Sequence, residues 1–304
     1  LAAGLNYLQI NINQGAPCAR CGQRTTENFV TEKKMNICFI GGGNMASALI
    51  GGLLSRGFAS AHIQVVEINP DNCTRLHNEY GVLASADMAA GVARCEFIVL
   101  AVKPQQLHEL ALQLAPMLSG QLLISIAAGI RAKDLARWLG SENIVRAMPN
   151  TPALIRSGIT GLYPLPAVSA AHRHDAQTIM AAVGSTLWLE TETMMDAVTA
   201  VSGSGPAYVF YFIEAMQQAA RELGFNEQDA RRLVLDTFIG ATKLAEANNE
   251  DVGVLRARVT SKNGTTERAL LSMESNHVQQ HIISAVHAAA LRSEEMGTEL
   301  GTKS

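Results

Sequence analysis

Three small residues, Gly41, Gly43 and Ala46, follow a short apolar run at 36–40 and open a stretch of small and apolar residues at 44–54. The order is G-x-G-x-x-A. Glycine at the first position permits a tight turn out of a strand. Glycine at the second lets an anionic group approach the backbone, and alanine at the third lets the next helix pack close to that strand. The N–H groups of Asn44, Met45 and Ala46 then stand at a helix start, where the positive end of the dipole suits a phosphate. The spacing points to a dinucleotide pyrophosphate. The plainer alternative is a tight structural turn.

Glu67 lies 24 residues beyond Gly43, at the end of a second apolar run. A carboxylate there accepts hydrogen bonds from an adenosine ribose and repels a 2′-phosphate. Ile68 and Asn69 follow it with no arginine, although Asn69 could bond such a phosphate and Arg75 could reach it. AVKPQ (Ala101, Val102, Lys103, Pro104, Gln105) closes a further strand. Ligands of wound parallel sheets sit beyond the C-terminal strand ends, so this turn is expected to line the cofactor cleft; a helix start with Pro104 in its first turn is the alternative. Ala127 and Gly129 occupy an equivalent edge. So does MPNTP at 148–152, which sets Asn150 and Thr151 between two prolines, near where a nicotinamide would lie.

Two later stretches carry chemistry of another kind. SGSGPAY at 202–208 is too glycine-rich for a helix interior, and the backbone at Ser202 and Gly203 could come close to a ligand. A plain helix–helix turn is equally compatible. TSKNGTTERALL at 260–271 is a polar turn that runs into a helix. It leaves the amides of Gly264, Thr265 and Thr266 free for a carboxylate, with hydroxyls from Ser261, Thr265 and Thr266 beside them. Ordinary capping is the alternative there. His277 and His281 are four residues apart but have no third ligand, so no metal is expected. His172 and His174 are read as solvent-facing. Cys18 and Cys21 form a C-x-x-C with no second pair, which fits two incidental thiols.

The elements that must position these groups follow from the pattern. Strands are expected at 36–40, 63–67, 82–84, 96–101, 121–125 and 143–147, with helices at 44–56, 70–80, 86–92, 104–115 and 131–139 between them. Strands near 159–163 and 185–190 flank a helix at 168–182 and extend the sheet. Such alternation implies an α/β, doubly wound, mostly parallel sheet over residues 35–190. From 191 to 304 only helices are expected, at 193–201, 206–223, 227–247, 251–258, 265–274 and 276–296. PAYVFYFIEAM at 206–216 is apolar on nearly every face and should be buried on all sides. Residues 1–34 show no hydrophobic period and are expected to be a disordered leader ahead of a start at Met35. The chain has 304 residues, a net charge of −3 and five cysteines. That balance draws it to no nucleic acid, no run is long enough to span a membrane, and an odd cysteine count argues against a disulfide framework. A reduced, cytoplasmic protein is the default.

FIGGGNMA, AVKPQ, SIAAGI, RAMPNTPALI, AVSGSGPAYVF and VTSKNGTTERAL occur in that order. Together they resemble the pyrroline-5-carboxylate reductases, from Met35 to about Leu300. The resemblance implies a Rossmann-type domain, a helical dimerisation domain and a substrate site completed across a homodimer or a larger assembly of dimers. It implies NADPH or NADH as hydride donor to a five-membered cyclic imine that bears a carboxylate. By resemblance, Thr266 bonds the ring nitrogen as the catalytic residue, and the 264–266 amides hold the carboxylate. One motif departs from the family's S-P-G-G-T-T: here Lys262 replaces proline and Asn263 replaces glycine. Asparagine tolerates positive φ better than most residues. Two rivals remain. A β-hydroxyacid dehydrogenase would need a lysine just after the glycine-serine-glycine turn, and 206–210 contains none. A non-catalytic dinucleotide sensor would need no carboxylate turn.

Overall fold

Helix starts and stops are written plainly in this chain. The structure, a computed structural model, describes residues 35–301; the expected leader and its Cys18–Cys21 pair lie outside those residues. β1 (Ile37–Ile40) runs into α1 (Asn44–Ser55), then β2 (Ile63–Val66) and α2 (Pro70–Tyr80). Asn69 caps α2 by accepting from the N–H groups of Asp71 and Asn72, and Gly81 ends it in the left-handed region. β3 (Leu83–Ser85), α3 (Met88–Val92), β4 (Phe97–Leu100) and α4 (Pro104–Leu114) follow, α3 capped by Asp87 and α4 carrying proline in its first turn. Next come β5 (Leu122–Ser125), α5 (Ala132–Leu139), β6 (Ile144–Met148), β7 (Gly158–Pro164), α6 (Ala170–Met180) and β8 (Gly184–Trp188).

These strands form one eight-stranded sheet in the order β3-β2-β1-β4-β5-β6-β7-β8. β7 pairs antiparallel with β6 and the other pairs are parallel. The chain builds outward from β1 through β2 to β3, then crosses back to lay β4 on the other side of β1. That reversal opens a crevice at the C-terminal strand ends. Helices cover both faces. In β1, Ile37 and Phe39 join one core while Cys38 and Ile40 join the other, so alternate side chains are buried on opposite sides.

No strand follows Trp188 among the described residues. α7 (Met194–Val198) passes through one wide turn, Thr199–Gly203, into α8 (Gly205–Glu222). α9 (Glu227–Glu246), α10 (Val252–Arg258), α11 (Thr265–Ser275) and α12 (Val278–Gly301) complete the run. The expected turn at 202–208 is therefore helical. The Ser204 N–H donates to Thr199 O at 2.8 Å, five residues back, which widens the helix instead of breaking it. The expectation that 206–216 is buried on all sides also fails within one chain: α8 has no buried residue, and Phe210 and Tyr211 are 64% and 70% exposed. α8 packs against α9, and it leaves Val209, Phe210 and Tyr211 exposed among the described residues.

The C-terminal part of α12 returns to the sheet. Arg131 Nη1 bonds Asp196 Oδ2 at 2.7 Å, and Ser293 Oγ donates to Asp196 Oδ1 at 2.7 Å. Arg146 on β6 pairs with Glu192 at 2.5 Å, and Glu192 also accepts from the Ala132 N–H at the start of α5. Burial pushes the Arg146 guanidinium below its ordinary value, and Glu192 works against that shift.

Candidate active site

The reversal between β1 and β4 holds a cleft of about 540 Å³, lined by Gly41, Gly42 and Gly43, by Val66, Glu67 and Ile68, and by Ala101, Val102 and Lys103. Gly41 adopts φ +102°, and a Cβ on it would stand 2.7 Å from Ala101 O. Only glycine fits that position without strain. Gly43 starts α1 with no side-chain cap, and a Cβ there would meet nothing within 4 Å. Its backbone faces open space on the cleft side, as an approaching pyrophosphate requires. The Ala46 side chain is buried in the core and Met45 packs against that core, so these two offer the cleft their amides alone.

Glu67 lines the cleft with its carboxylate already engaged. One oxygen accepts from the Gly42 N–H at 3.0 Å and from Asn72 Nδ2 at 3.3 Å, and the other accepts from the Asn69 N–H at 2.8 Å. It thus holds the glycine turn to the start of α2 and leaves an acidic edge. Asn69 is the cap of α2 and is not among the residues lining the cleft. Its Oδ1 accepts from the Asp71 and Asn72 N–H groups, so the side-chain oxygen is spent on capping. Arg75 reaches the turn from below, Nη2 donating to Gly42 O and to Ser47 Oγ at 3.1 Å each. Asn72, Met88 and Gln106 also line the cleft, and sequence reasoning missed them. The signal for Asn72 was its place in the first turn of α2.

Other expected cofactor residues lie elsewhere. Pro104 begins α4. Ala127 is buried in the second core. Gly129 packs against α12, where a Cβ would stand 3.2 Å from Met296 Cβ, so it serves the return of that helix.

A second cleft of about 490 Å³ lies beyond β6. Asn150 and Pro152 form one wall, and Ser202, Gly205 and Pro206 form another. Asn150 Oδ1 accepts from the Ile159 N–H at 3.0 Å, which fixes its amide. Gly203 touches the same strand end, because a Cβ on it would stand 2.6 Å from Met148 Cε. Two segments read separately in the sequence therefore meet.

The 261–266 turn lines neither cleft. Asn263 takes φ +59°, the left-handed geometry expected of the family's glycine, and its N–H donates to Glu267 Oε2 at 2.6 Å. The Gly264 N–H donates to Ser261 O at 3.0 Å, so it is not free, contrary to expectation. Gly264 begins α11 with no side-chain cap, and the amides of Thr265 and Thr266 have no partner among the described residues. The hydroxyls of Ser261, Thr265 and Thr266 are thus not spent on capping this helix. His172 is half-buried instead of solvent-facing, its Nδ1 lying 3.0 Å from Asn143 Oδ1. No group of three metal-ligating side chains occurs among the described residues.

Comparison with known proteins places this geometry. Residues 192–296 match the family described as pyrroline-5-carboxylate reductase dimerisation, and residues 36–129 match the family described as NADP oxidoreductase, coenzyme F420-dependent. The pyrroline-5-carboxylate reductase of Pseudomonas aeruginosa is 44% identical over 267 residues, which is 87% of this chain and 98% of the relative. The chain belongs to the pyrroline-5-carboxylate reductase family. A solved family member from Coxiella burnetii superposes with a TM-score of 0.82 at 38% identity, covering 86% of this chain and 98% of that one. The Plasmodium falciparum pyrroline carboxylate reductase, solved with NADP bound, gives 0.79 at 30% identity with the same coverage. The family's parallel-sheet domain and its helical region are both present.

Proposed function

We propose that this protein reduces 1-pyrroline-5-carboxylate to L-proline, the last step of proline biosynthesis, with NADH or NADPH as the hydride donor. The observation that carries this is the 44% identity to the Pseudomonas enzyme across 98% of its length, both domains included. The first cleft fits the nicotinamide cofactor, with open backbone at Gly43 and an acidic edge at Glu67. When bound there, the cofactor supplies hydride; the chain supplies position. A protonated C=N is already electrophilic, so alignment of the two reacting carbons does most of the work.

In this reading residues 35–190 hold the cofactor and 191–304 hold substrate and partner. Gly41, Gly43 and the amides of Asn44, Met45 and Ala46 seat the pyrophosphate, with Ala101, Val102 and Lys103 along its side. Asn150, Ser202 and Gly203 face the substrate ring. Ser261, Thr265 and Thr266 hold the carboxylate and the ring nitrogen. The 261–266 turn lines neither cleft of its own chain, so a second subunit completes the site, and the exposed apolar faces of α8 to α12 are what that subunit covers. The reaction belongs in the cytoplasm, where reduced nicotinamide is maintained. No helix of the described residues is long and apolar enough to cross a membrane. The test is oxidation of NADH and of NADPH by purified protein with the cyclic imine. Turnover with either supports the reading, and folded, dimeric protein that oxidises neither overturns it.

A further inference from the structure

Two buried side-chain polar atoms among the described residues have no hydrogen-bond partner, Trp138 Nε1 and Tyr208 Oη. Trp138 lines neither cleft, and its ring meets the His108 ring edge-on at 4.8 Å. Tyr208 stands in the second turn of α8 and lines the second cleft with Asn150, Ser202, Pro206, Val201 and Phe212. A phenol out of water with nothing to bond is costly to maintain. It is retained where something else supplies the partner.

The walls say which chemistry. They are mostly apolar, and no lysine or arginine lines the cleft. A carboxylate would lose its hydration there with no cation to replace it. A ring of methylene groups with one polar atom fits. Resting on the function proposed above, we propose that the Tyr208 hydroxyl hydrogen-bonds the ring nitrogen of the cyclic imine as it is reduced. The C=N π pair becomes a lone pair on nitrogen when the imine carbon receives hydride from the nicotinamide. The nitrogen's existing proton stays where it is, available to Thr266. The new lone pair points elsewhere and needs a donor, which a phenol can be. This bond strengthens only as the reaction proceeds, so it raises kcat more than it lowers KM.

The experiment uses Tyr208→Phe, which keeps the ring and removes the hydroxyl. Its kcat should fall about ten- to hundredfold with KM nearly unchanged. Calorimetry in the presence of oxidised cofactor then compares L-proline, whose ammonium N–H would donate to the phenol oxygen, with cyclopentanecarboxylate, which has a methylene in place of the ring nitrogen. Affinity of the variant for L-proline should fall roughly tenfold, and for the carbocycle it should not change. Equal losses for both ligands would place the hydroxyl at the carboxylate and overturn the assignment. So would unchanged binding and kcat. A variant that loses its dimer in light scattering would show that Tyr208 bonds the partner subunit instead. Wild-type protein inactive on the imine would sink the proposed function itself, which this comparison of variants leaves separate.

Discussion

Phe39 and Phe210 are the same residue type in opposite situations. Phe39 in β1 is fully buried between helices of its own chain, whereas Phe210 in α8 is 64% exposed. The contrast holds for the regions around them. The sheet domain closes two cores and one ligand cleft within a single chain. In α8, α9, α10 and α11 the buried residues are Ala230 and Val234 alone. In the reading proposed above, one half is finished by folding and the other by association. The difference teaches where to expect independence: on the proposed reading, cofactor binding belongs to the monomer and substrate chemistry to the assembly.

The largest way to break that contrast is to charge the open face. Tyr211→Glu, at an exposed residue that lines neither cleft, should dissociate the proposed dimer, because an unpaired carboxylate in an apolar interface is strongly disfavoured. Activity should fall at least about a hundredfold, a loss worth roughly 3 kcal/mol, while cofactor binding followed by fluorescence is retained. Loss of cofactor binding with it would show that the halves are not independent. Next in size is Thr266→Ala, expected to lower kcat about ten- to hundredfold with cofactor affinity kept. Thr266→Ser should retain most activity, and equal small effects from both would reduce Thr266 to a helix-start residue.

A smaller pair sharpens the cofactor half. Gly41→Ala should cost about 1–3 kcal/mol of stability in denaturant melts, from positive φ and contact with Ala101 O. Gly43→Ala should leave stability nearly unchanged and raise the cofactor KM, since its Cβ meets only the open cleft side. Smallest is Glu67→Ser. The Glu67 carboxylate is bonded by neutral N–H donors and no cation pairs with it among the described residues, so its charge disfavours a 2′-phosphate near the adenosine ribose and wild type should use NADH at least as well as NADPH. The substitution should improve the KM for NADPH and leave kcat nearly fixed. Steady-state kinetics with both cofactors decide it; a strong NADPH preference in wild type that survives the change would mean the phosphate is held elsewhere.

What the sequence made legible was what local physics decides. Gly41 and Asn263 both take the positive φ that their turns demanded, and the strand–turn–helix at 37–55 is local in the same sense. What it hid depends on contacts made from a distance. The wide turn at Thr199–Gly203 keeps the helix going through two glycines, and one of them is pressed by Met148 from β6. Gly129 looked like a cofactor edge until α12 came back to cover it. Glu67 and Asn69 were read as ribose contacts, and the sequence did not show that both also hold the start of α2. The apolar run at 206–216 was read as buried on all sides, and its own chain leaves Phe210 and Tyr211 exposed.

The central claim is that one subunit's cofactor cleft works with its partner's 261–266 turn. Mixing two impaired variants tests it directly. Gly43→Asp keeps a good helix cap but sets a carboxylate where the pyrophosphate would sit; Thr266→Ala removes the other half. Co-refolded in equal amounts, random pairing makes about half of the dimers mixed, and each mixed dimer carries one intact composite site. Activity should return to about a quarter of wild type. No activity above that of the two variants alone would mean that each site is built within one chain, and the account would be wrong.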